Sequence, residues 1–340
     1  LHCHTFKEIS IQAAIVAFLR HNLVMHILIP FAALPEPAFQ TAFNSMQLPH
    51  LHALLNTLTL HATHEGQADA LTPLHERLAL QLQGLHCTDG LTGAAERAAQ
   101  QSGLLQTDAD PQSGWAFMTL CHWEIQTQQV FMHDPNGLHI TTTEADTLLK
   151  TMQPYFAGDG IRLYPYQNGT WLAQGPHLFA LPTASLSRVN NQRVDEWMPR
   201  QPQAKAVLRL QNEMQMLLYT HPINDARSVR GAPIINSFWV HGTGDAGTEQ
   251  PKTLITASEL SHAAMQNNPS AWCQAWQALD STLLHQAAEK LQQGEAVELT
   301  LCGLERALHY THQPVNWWQR CQRSWRRTPP QRHLQSLFTF

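Results

Sequence analysis

His221-Pro-Ile-Asn224-Asp-Ala-Arg227-Ser-Val-Arg230-Gly231, followed shortly by Ile235-Asn236-Ser237-Phe238-Trp239-Val240-His241-Gly242-Thr-Gly244, is the most informative run of the chain. It closes a segment, Ala204 to Tyr219, whose Val207, Leu208, Leu210, Met214, Leu217 and Leu218 recur at helical spacing. His221-Pro222 stops that helix, a polar loop follows, and Ile234 to Val240 reads as a strand entering a glycine-rich turn. Two readings of the loop stay open. Arg227 and Arg230 could clamp an anion with their forked donors, while Asn224, Asn236 and His221 orient it. Alternatively, Asn224 and Asp225 make an Asx-type turn that only connects two elements.

Strand-like and helix-like segments alternate outward from this run. Met25-His-Ile-Leu-Ile-Pro30 opens as a clean strand. Glu36 to Met46 and Leu51 to Leu60 read as short helices, Thr72-Pro73 starts another that stops at Gly84, and Ala94 to Gln101 stops before Gly103. Trp115 to Ile125 is a strand with Val130 to Met132 as its partner. Thr143-x-x-Asp146 resembles a capping box opening a helix to Tyr155. Ile161 to Gln167 and Thr170 to Ala173 flank Asn168-Gly169, the composition of a type I′ hairpin. Leu254 to Thr256 is a short strand, Trp272 to Gln293 the longest helix and Val297 to Leu301 a strand, after which the tail reads as helical or irregular. The alternation predicts an α/β sheet covered by helices, with residues 115–235 as an inserted α+β lobe.

Composition narrows the function. The chain has 340 residues, 43% hydrophobic and only 14% charged, with a formal net charge of −5. That balance argues against whole-chain binding to nucleic acid. The 21 histidines are in excess. Six scattered cysteines without a CxxC pair read as buried thiols in a reducing, cytoplasmic compartment. Ile11 to Leu19 is apolar but too short to span a bilayer, so no membrane association is expected. Residues 1–24 read as an upstream extension of the fold.

Other motifs carry less. Gly242-Thr-Gly244-Asp-Ala-Gly247 matches GxGxxG after a strand, but Thr248-Glu-Gln-Pro251 replaces the helix a dinucleotide site requires, so a flexible loop is expected. His50 and His52 lie about 200° apart on a helix, and His61 and His64, which share a face, have no nearby carboxylate or cysteine to complete a zinc signature. No metal ligands are assigned. His122, in Cys121-His-Trp123 at a strand end, is the best ligand-contact candidate outside the loop. Trp317-Trp318 through Arg326-Arg327 mixes bases and aromatics in a way that could bind single strands, but such a run is more often a segment that packs its tryptophans and solvates its arginines, so nucleic acid is not the expected partner.

The opening run resembles the phosphomutase lobe of the archaeal-type, 2,3-bisphosphoglycerate-independent phosphoglycerate mutases. Their His-Pro-x-Asn-x-x-Arg and Ala-Asn-x-x-Trp-x-x-Gly-x-Gly pattern is matched by His221, Pro222, Asn224, Arg227, Asn236, Trp239, Gly242 and Gly244. Leu48 to Leu54, Thr143 to Asp146 and Ala278-Leu279-Asp280 resemble further family segments, so the similarity runs in order over residues 25–313. It resembles most closely a bacterial subgroup described as RpfE-type regulatory proteins. The resemblance implies an alkaline-phosphatase-like sheet with helices on both faces. Residues 25–114 and 236–313 would form the core, 115–235 the inserted lobe and 314–340 an Arg/Trp-rich tail. It also implies a ligand site of His221, Asn224, Arg227, Arg230, Asn236 and Trp239, with His122 added from its strand end. The family's chemistry uses two divalent metals and a serine. Here the first strand runs into Pro30-Phe-Ala-Ala33 without an acid, and the late strand ends in Cys302-Gly303 instead of Asp-His. The expectation is therefore a degenerate, non-catalytic or regulatory protein without a cofactor, binding a small phosphorylated or carboxylate ligand. The alternatives are a working phosphomutase with a rearranged, histidine-rich Mn, Mg or Zn site, and a single-stranded nucleic-acid partner engaged by the tail.

Overall fold

The computed structural model describes residues 24–105, 112–248, 252–312 and 334–338. The extension expected at 1–24 lies, but for Val24, outside the described residues, as does the Arg/Trp-rich run at 317–327. Contacts divide the chain into two compact units, one of 24–66 with 252–338 and one of 67–248.

The first unit is built on a five-stranded mixed sheet in the order β2-β11-β10-β1-β9. Its strands are β1 (Met25–Ile29), β2 (Thr59–Glu65), β9 (Ile255–Thr256), β10 (Val297–Cys302) and β11 (Arg306–Thr311). β1 runs parallel to β10 and β9, while β11 is antiparallel to β10 and to β2. Side chains alternate across a strand. Val297, Leu299 and Leu301 thus join Ile27 and Ile29 in an apolar cluster, and Glu298 and Thr300 take the other face with His26. Helices α1 (Pro37–Ser45), α2 (Pro49–Thr57), α10 (Pro269–Leu279) and α11 (His285–Gln292) contribute to that cluster. Trp272 and Trp276 are wholly buried within it, Trp272 meeting the Phe39 ring edge-on at 5.4 Å.

The long helix expected from Trp272 to Gln293 is interrupted by a π turn, Asp280–Leu284. The turn aims buried Asp280 at the start of α2, where its carboxylate accepts the backbone N–H of Leu51 at 2.8 Å and His50 at 3.3 Å. An anion there satisfies amides that have no partner within the helix. β2 replaces the last turn of the helix expected to reach Leu60, and β11 replaces the expected irregular tail.

The second unit holds a four-stranded antiparallel sheet, β6-β7-β3-β8. Its strands are β3 (Gly114–Cys121), β6 (Arg162–Gln167), β7 (Thr170–Gly175) and β8 (Ser237–His241). Beside it, β4 (Trp123–Gln126) and β5 (Gln129–Met132) form a separate hairpin, so the strand expected through Ile125 breaks at His122. Helices α3 (Leu74–Leu82), α4 (Ala94–Gln101), α5 (Thr142–Gly158), α6 (Leu186–Val189), α7 (Ala204–Tyr219) and α8 (Pro222–Val229) complete it, with α9 (Glu259–Met265) in the first unit. β8 pairs with β3, and by contacts the units divide between 66 and 67 and between 248 and 252. The capping box of α5 is Thr141 with Glu144, two residues before the expected pair. In the β6–β7 turn Gly169 takes a φ of +78° while Asn168 stays out of the left-handed region, so the type I′ turn, which needs both, does not form. Among the described residues no helix is long and apolar enough to cross a membrane.

Candidate functional site

The loop expected after His221 is a helix, α8, capped by the His221 imidazole, whose Nδ1 accepts the Ile223 N–H at 3.2 Å. Asn224 is buried. Its amide donates to the carbonyls of Leu218 (2.8 Å) and Ile235 (2.7 Å) and accepts the Ile235 N–H (2.8 Å), tying the end of α7 to the approach to β8. Asn236 accepts the Trp123 N–H and donates to the Trp123 carbonyl, imitating one rung of a β ladder. Trp239 is buried and donates its indole N–H to the Ala184 carbonyl at 2.9 Å.

Arg227 is the centre of this arrangement. Its side chain is 0% exposed. The guanidinium donates to Pro233 O at 2.6 Å, to Leu138 O and to Glu144 Oε1 at 3.0 Å. Arg230, half-exposed, reaches the same carboxylate oxygen. The remaining oxygen of Glu144 accepts from the backbone and hydroxyl of Thr141. Burial raises the Glu144 pKa, but the hydrogen bonds from Thr141, Arg230 and Arg227 outweigh it and bring the value to about 2. The two arginines do converge on an anion, and that anion is Glu144.

His122 sits between β3 and β4 with its ring 5.1 Å from that of His133, and its Nδ1 is buried without a hydrogen-bond partner. Burial, then the nearby His133, lowers its pKa. A hydrogen bond with the backbone of Ile234 opposes that lowering and places His122 beside the stretch between Pro233, held by Arg227, and Ile235, held by Asn224.

The carboxyl ends of parallel strands are where open α/β sheets usually hold ligands. Here the ends of β1 and β10 are closed. The Ala32 N–H donates to Cys302 O at 2.7 Å, and Trp272 donates its indole N–H to Phe31 O at 2.9 Å. Ala32, Ala33 and Leu34 are buried and join Leu334 and Leu337 in one cluster. Residues 334–338 are fixed there by Arg306 donating to Ser336 O at 3.2 Å and by the Phe43–Phe338 ring pair at 5.5 Å. Gly303 leaves no room: a Cβ would fall 3.0 Å from the Leu337 carbonyl oxygen. Residues 29–34 and 302–304 contain no carboxylate and no imidazole. Buried Cys302 has its thiol pKa pushed up, away from the thiolate a metal or a nucleophile requires.

The glycine-rich turn expected to be flexible is packed. Thr243 is wholly buried and its hydroxyl reaches Leu181 O at 2.6 Å, while the backbone of Gly242 and Thr243 accepts from Ala95 and Gly93. Beside it lies a cavity of about 510 Å³ lined by Phe117, Thr119, Asn136, Tyr166, Asn168 and His241, among others, and by no lysine or arginine. His241 meets Thr119 Oγ1 at 2.9 Å, and burial lowers its pKa to about 4. The unfolded value is about 6.5. Between the two, the unfolded chain binds more protons, so this contribution to stability is complete above about pH 6.5 and is lost as pH falls toward 4. Thermal midpoints of His241→Gln should therefore depend less on pH across that window than those of the parent. An unchanged slope would remove His241 from the titration.

Sequence reading also missed one convergence of metal-ligating groups. His26, Glu298 and His309 place one ligand atom each within 4.8 Å of one another. The four described cysteines, Cys87, Cys121, Cys273 and Cys302, are free thiols.

No protein-family model matches the chain. It is 27% identical over 126 residues to a 2,3-bisphosphoglycerate-independent phosphoglycerate mutase of Methanosarcina mazei. The match takes in 36% of this chain and 31% of that protein, so it spans about a third of the relative's length. Similar solved structures include the PH0037 protein of Pyrococcus horikoshii, at a TM-score of 0.42 and 12% identity over 87% of this chain and 89% of that one. The cofactor-independent phosphoglycerate mutase of Thermoplasma acidophilum has a TM-score of 0.35 and 11% identity over 86% of this chain and 91% of that one. The sequence relationship to the cofactor-independent phosphoglycerate mutases is thus distant.

Proposed function

We propose that this chain is a degenerate phosphoglycerate mutase-like protein that does not run the mutase reaction and acts in a non-catalytic, regulatory role. One observation carries the reading: the carboxyl ends of β1 and β10 are closed by apolar side chains and by residues 334–338, and residues 29–34 and 302–304, which leave those strands, carry no carboxylate and no imidazole. Phosphoryl transfer in the family the chain resembles needs metal-held charge and an activated hydroxyl at that place. The Arg227–Glu144 pairing supports the same reading, because this guanidinium is wholly buried and is held by Glu144, Leu138 and Pro233 instead of facing a substrate phosphate.

The ligand side of the proposal moves to the cavity beside β3 and β8. Without a lysine or arginine in its lining, and with His241 held neutral, it suits a small neutral polar molecule better than the phosphorylated or carboxylate ligand the sequence suggested. A steady-state assay of 2- and 3-phosphoglycerate interconversion, with Mn²⁺ or Mg²⁺ supplied to the full chain, tests the main reading. No turnover above the protein-free rate is expected. Metal-dependent turnover would favour the working-enzyme alternative.

A further inference from the structure

We propose that His26, Glu298 and His309 form a binding site for a single divalent ion of the zinc class, at the amino ends of β1 and β10 and on the sheet face opposite the apolar cluster. The site is independent of the mutase reading and stands at the other end of the parallel strands from the closed crevice.

Strand register creates it. His26 on β1 pairs with Glu298 on β10, and Thr300, two residues on, pairs with His309 on β11. Residues two apart on a strand share a face, so all four side chains stand together. His26 Nδ1 lies 3.1 Å and His309 Nε2 3.8 Å from Glu298 Oε2. A tetrahedral ion with bonds of about 2.0–2.2 Å sets its ligand atoms about 3.3–3.6 Å apart, which those two separations bracket. Two imidazoles and one carboxylate suit zinc and its neighbours, whereas magnesium and calcium prefer all-oxygen shells.

The surroundings orient the ligands. The Thr300 hydroxyl lies 3.3 Å from His26 Nε2 and 2.8 Å from His309 Nδ1. A hydroxyl oxygen has two lone pairs and can accept both ring N–H groups. With both ring N–H groups donated to Thr300, each imidazole would present its bare nitrogen toward Glu298 when an ion is bound, the relation that outer hydrogen bonds impose on metal-bound histidines. The side chains of His26 and His309 are only 11% and 10% exposed. Burial first, and their neighbouring histidines second, lower the pKa of both to about 4. Burial also raises the Glu298 pKa, opposed by His61 and Lys252.

β2 flanks the site on the side of His309. A register shift between His309 and Tyr310 interrupts the β11–β2 ladder. The rings of His61 and His64 consequently both approach His309, at 5.8 and 6.4 Å between centroids, although residues three apart on a regular strand face opposite sides. Three protein ligands leave a tetrahedral ion one further position, to be filled by a water or by a neighbouring imidazole of β2.

The test uses the full chain without a histidine tag, stripped with chelator and titrated with Zn²⁺ against a chromophoric competitor, and separately with Co²⁺. The parent should take up one tight Zn²⁺ per chain and give Co²⁺ d–d bands of a four- or five-coordinate N/O site. Glu298→Gln, which preserves shape, and His26→Ala should each weaken the tight ion by ~100-fold or more, with circular dichroism unchanged. Thr300→Val should weaken it by ~10–100-fold while keeping the stoichiometry, and Thr300→Ser should restore it. No uptake by the parent at micromolar Zn²⁺ would overturn the site. So would undiminished affinity in a His26→Ala/His309→Ala variant, which would assign the ion to other histidines.

Discussion

Arg227→Ala should lower the stability of the protein by about 3–5 kcal/mol, the cost of breaking a buried ion pair from one side. The substitution strands the carbonyl of buried Leu138, takes a donor from that of Pro233, and empties the space of a long side chain. It also leaves Glu144 with Arg230 and Thr141 alone. Arg227→Lys should recover little, because one ammonium cannot reproduce the planar fork that serves Pro233, Leu138 and Glu144 at once. Arg230→Ala, at a half-exposed end of the same network, should cost no more than about 1 kcal/mol. Denaturant midpoints of the three variants check this. Equal, small effects of Arg227→Ala and Arg230→Ala would instead fit a pair of ligand-clamping arginines. Acid should reveal the same network. The folded-state pKa of Glu144, about 2, lies below the unfolded value of about 4.3, so its contribution is present above the unfolded value and disappears as pH falls toward 2.

Gly93→Ala should be the second severe change, at about 2–5 kcal/mol. Gly93 precedes α4 at a φ of +62°, and a Cβ there would fall 2.1 Å from the Asp245 carbonyl oxygen. The left-handed backbone alone costs a non-glycine residue about 1–2 kcal/mol. The remainder comes from pushing the 242–247 turn off its seat, as overpacking does in a core. Because Gly93 and Ala95 donate to the carbonyls of Thr243 and Gly242, that displacement also breaks backbone hydrogen bonds. Thermal unfolding of the variant decides whether the glycine-rich turn is a packed strap. A change below about 1 kcal/mol would return it to a flexible loop.

What sequence revealed follows from how local each cause is. The apolar spacing of residues 204–219 and the hairpin at Asn168-Gly169 are local signals, and α7 and the β6–β7 pair stand there. The capping box slipped by two because Thr141, Thr142 and Thr143 all offer a hydroxyl, and only Glu144 Oε2, returning to the Thr141 N–H, selects among them. β2 and β11 were not legible. Thr59-Leu-His-Ala-Thr-His-Glu65 has little apolar alternation, and it becomes a strand by pairing with residues about 240 positions away. The role of Arg227 was hidden for the same reason, since its carboxylate partner lies 83 residues earlier. His26, Glu298 and His309 lie on three strands, so no spacing rule could join them before the sheet order was known.

Phosphorus NMR of 3-phosphoglycerate held with a stoichiometric amount of the full chain and Mn²⁺ or Mg²⁺, quenched with chelator before acquisition, bears most directly on whether the closed strand ends have lost the chemistry of the proteins they resemble. The predicted spectrum keeps the 3-phosphoglycerate resonance alone over hours. A resonance of 2-phosphoglycerate, of inorganic phosphate or of a phosphorylated side chain would contradict it.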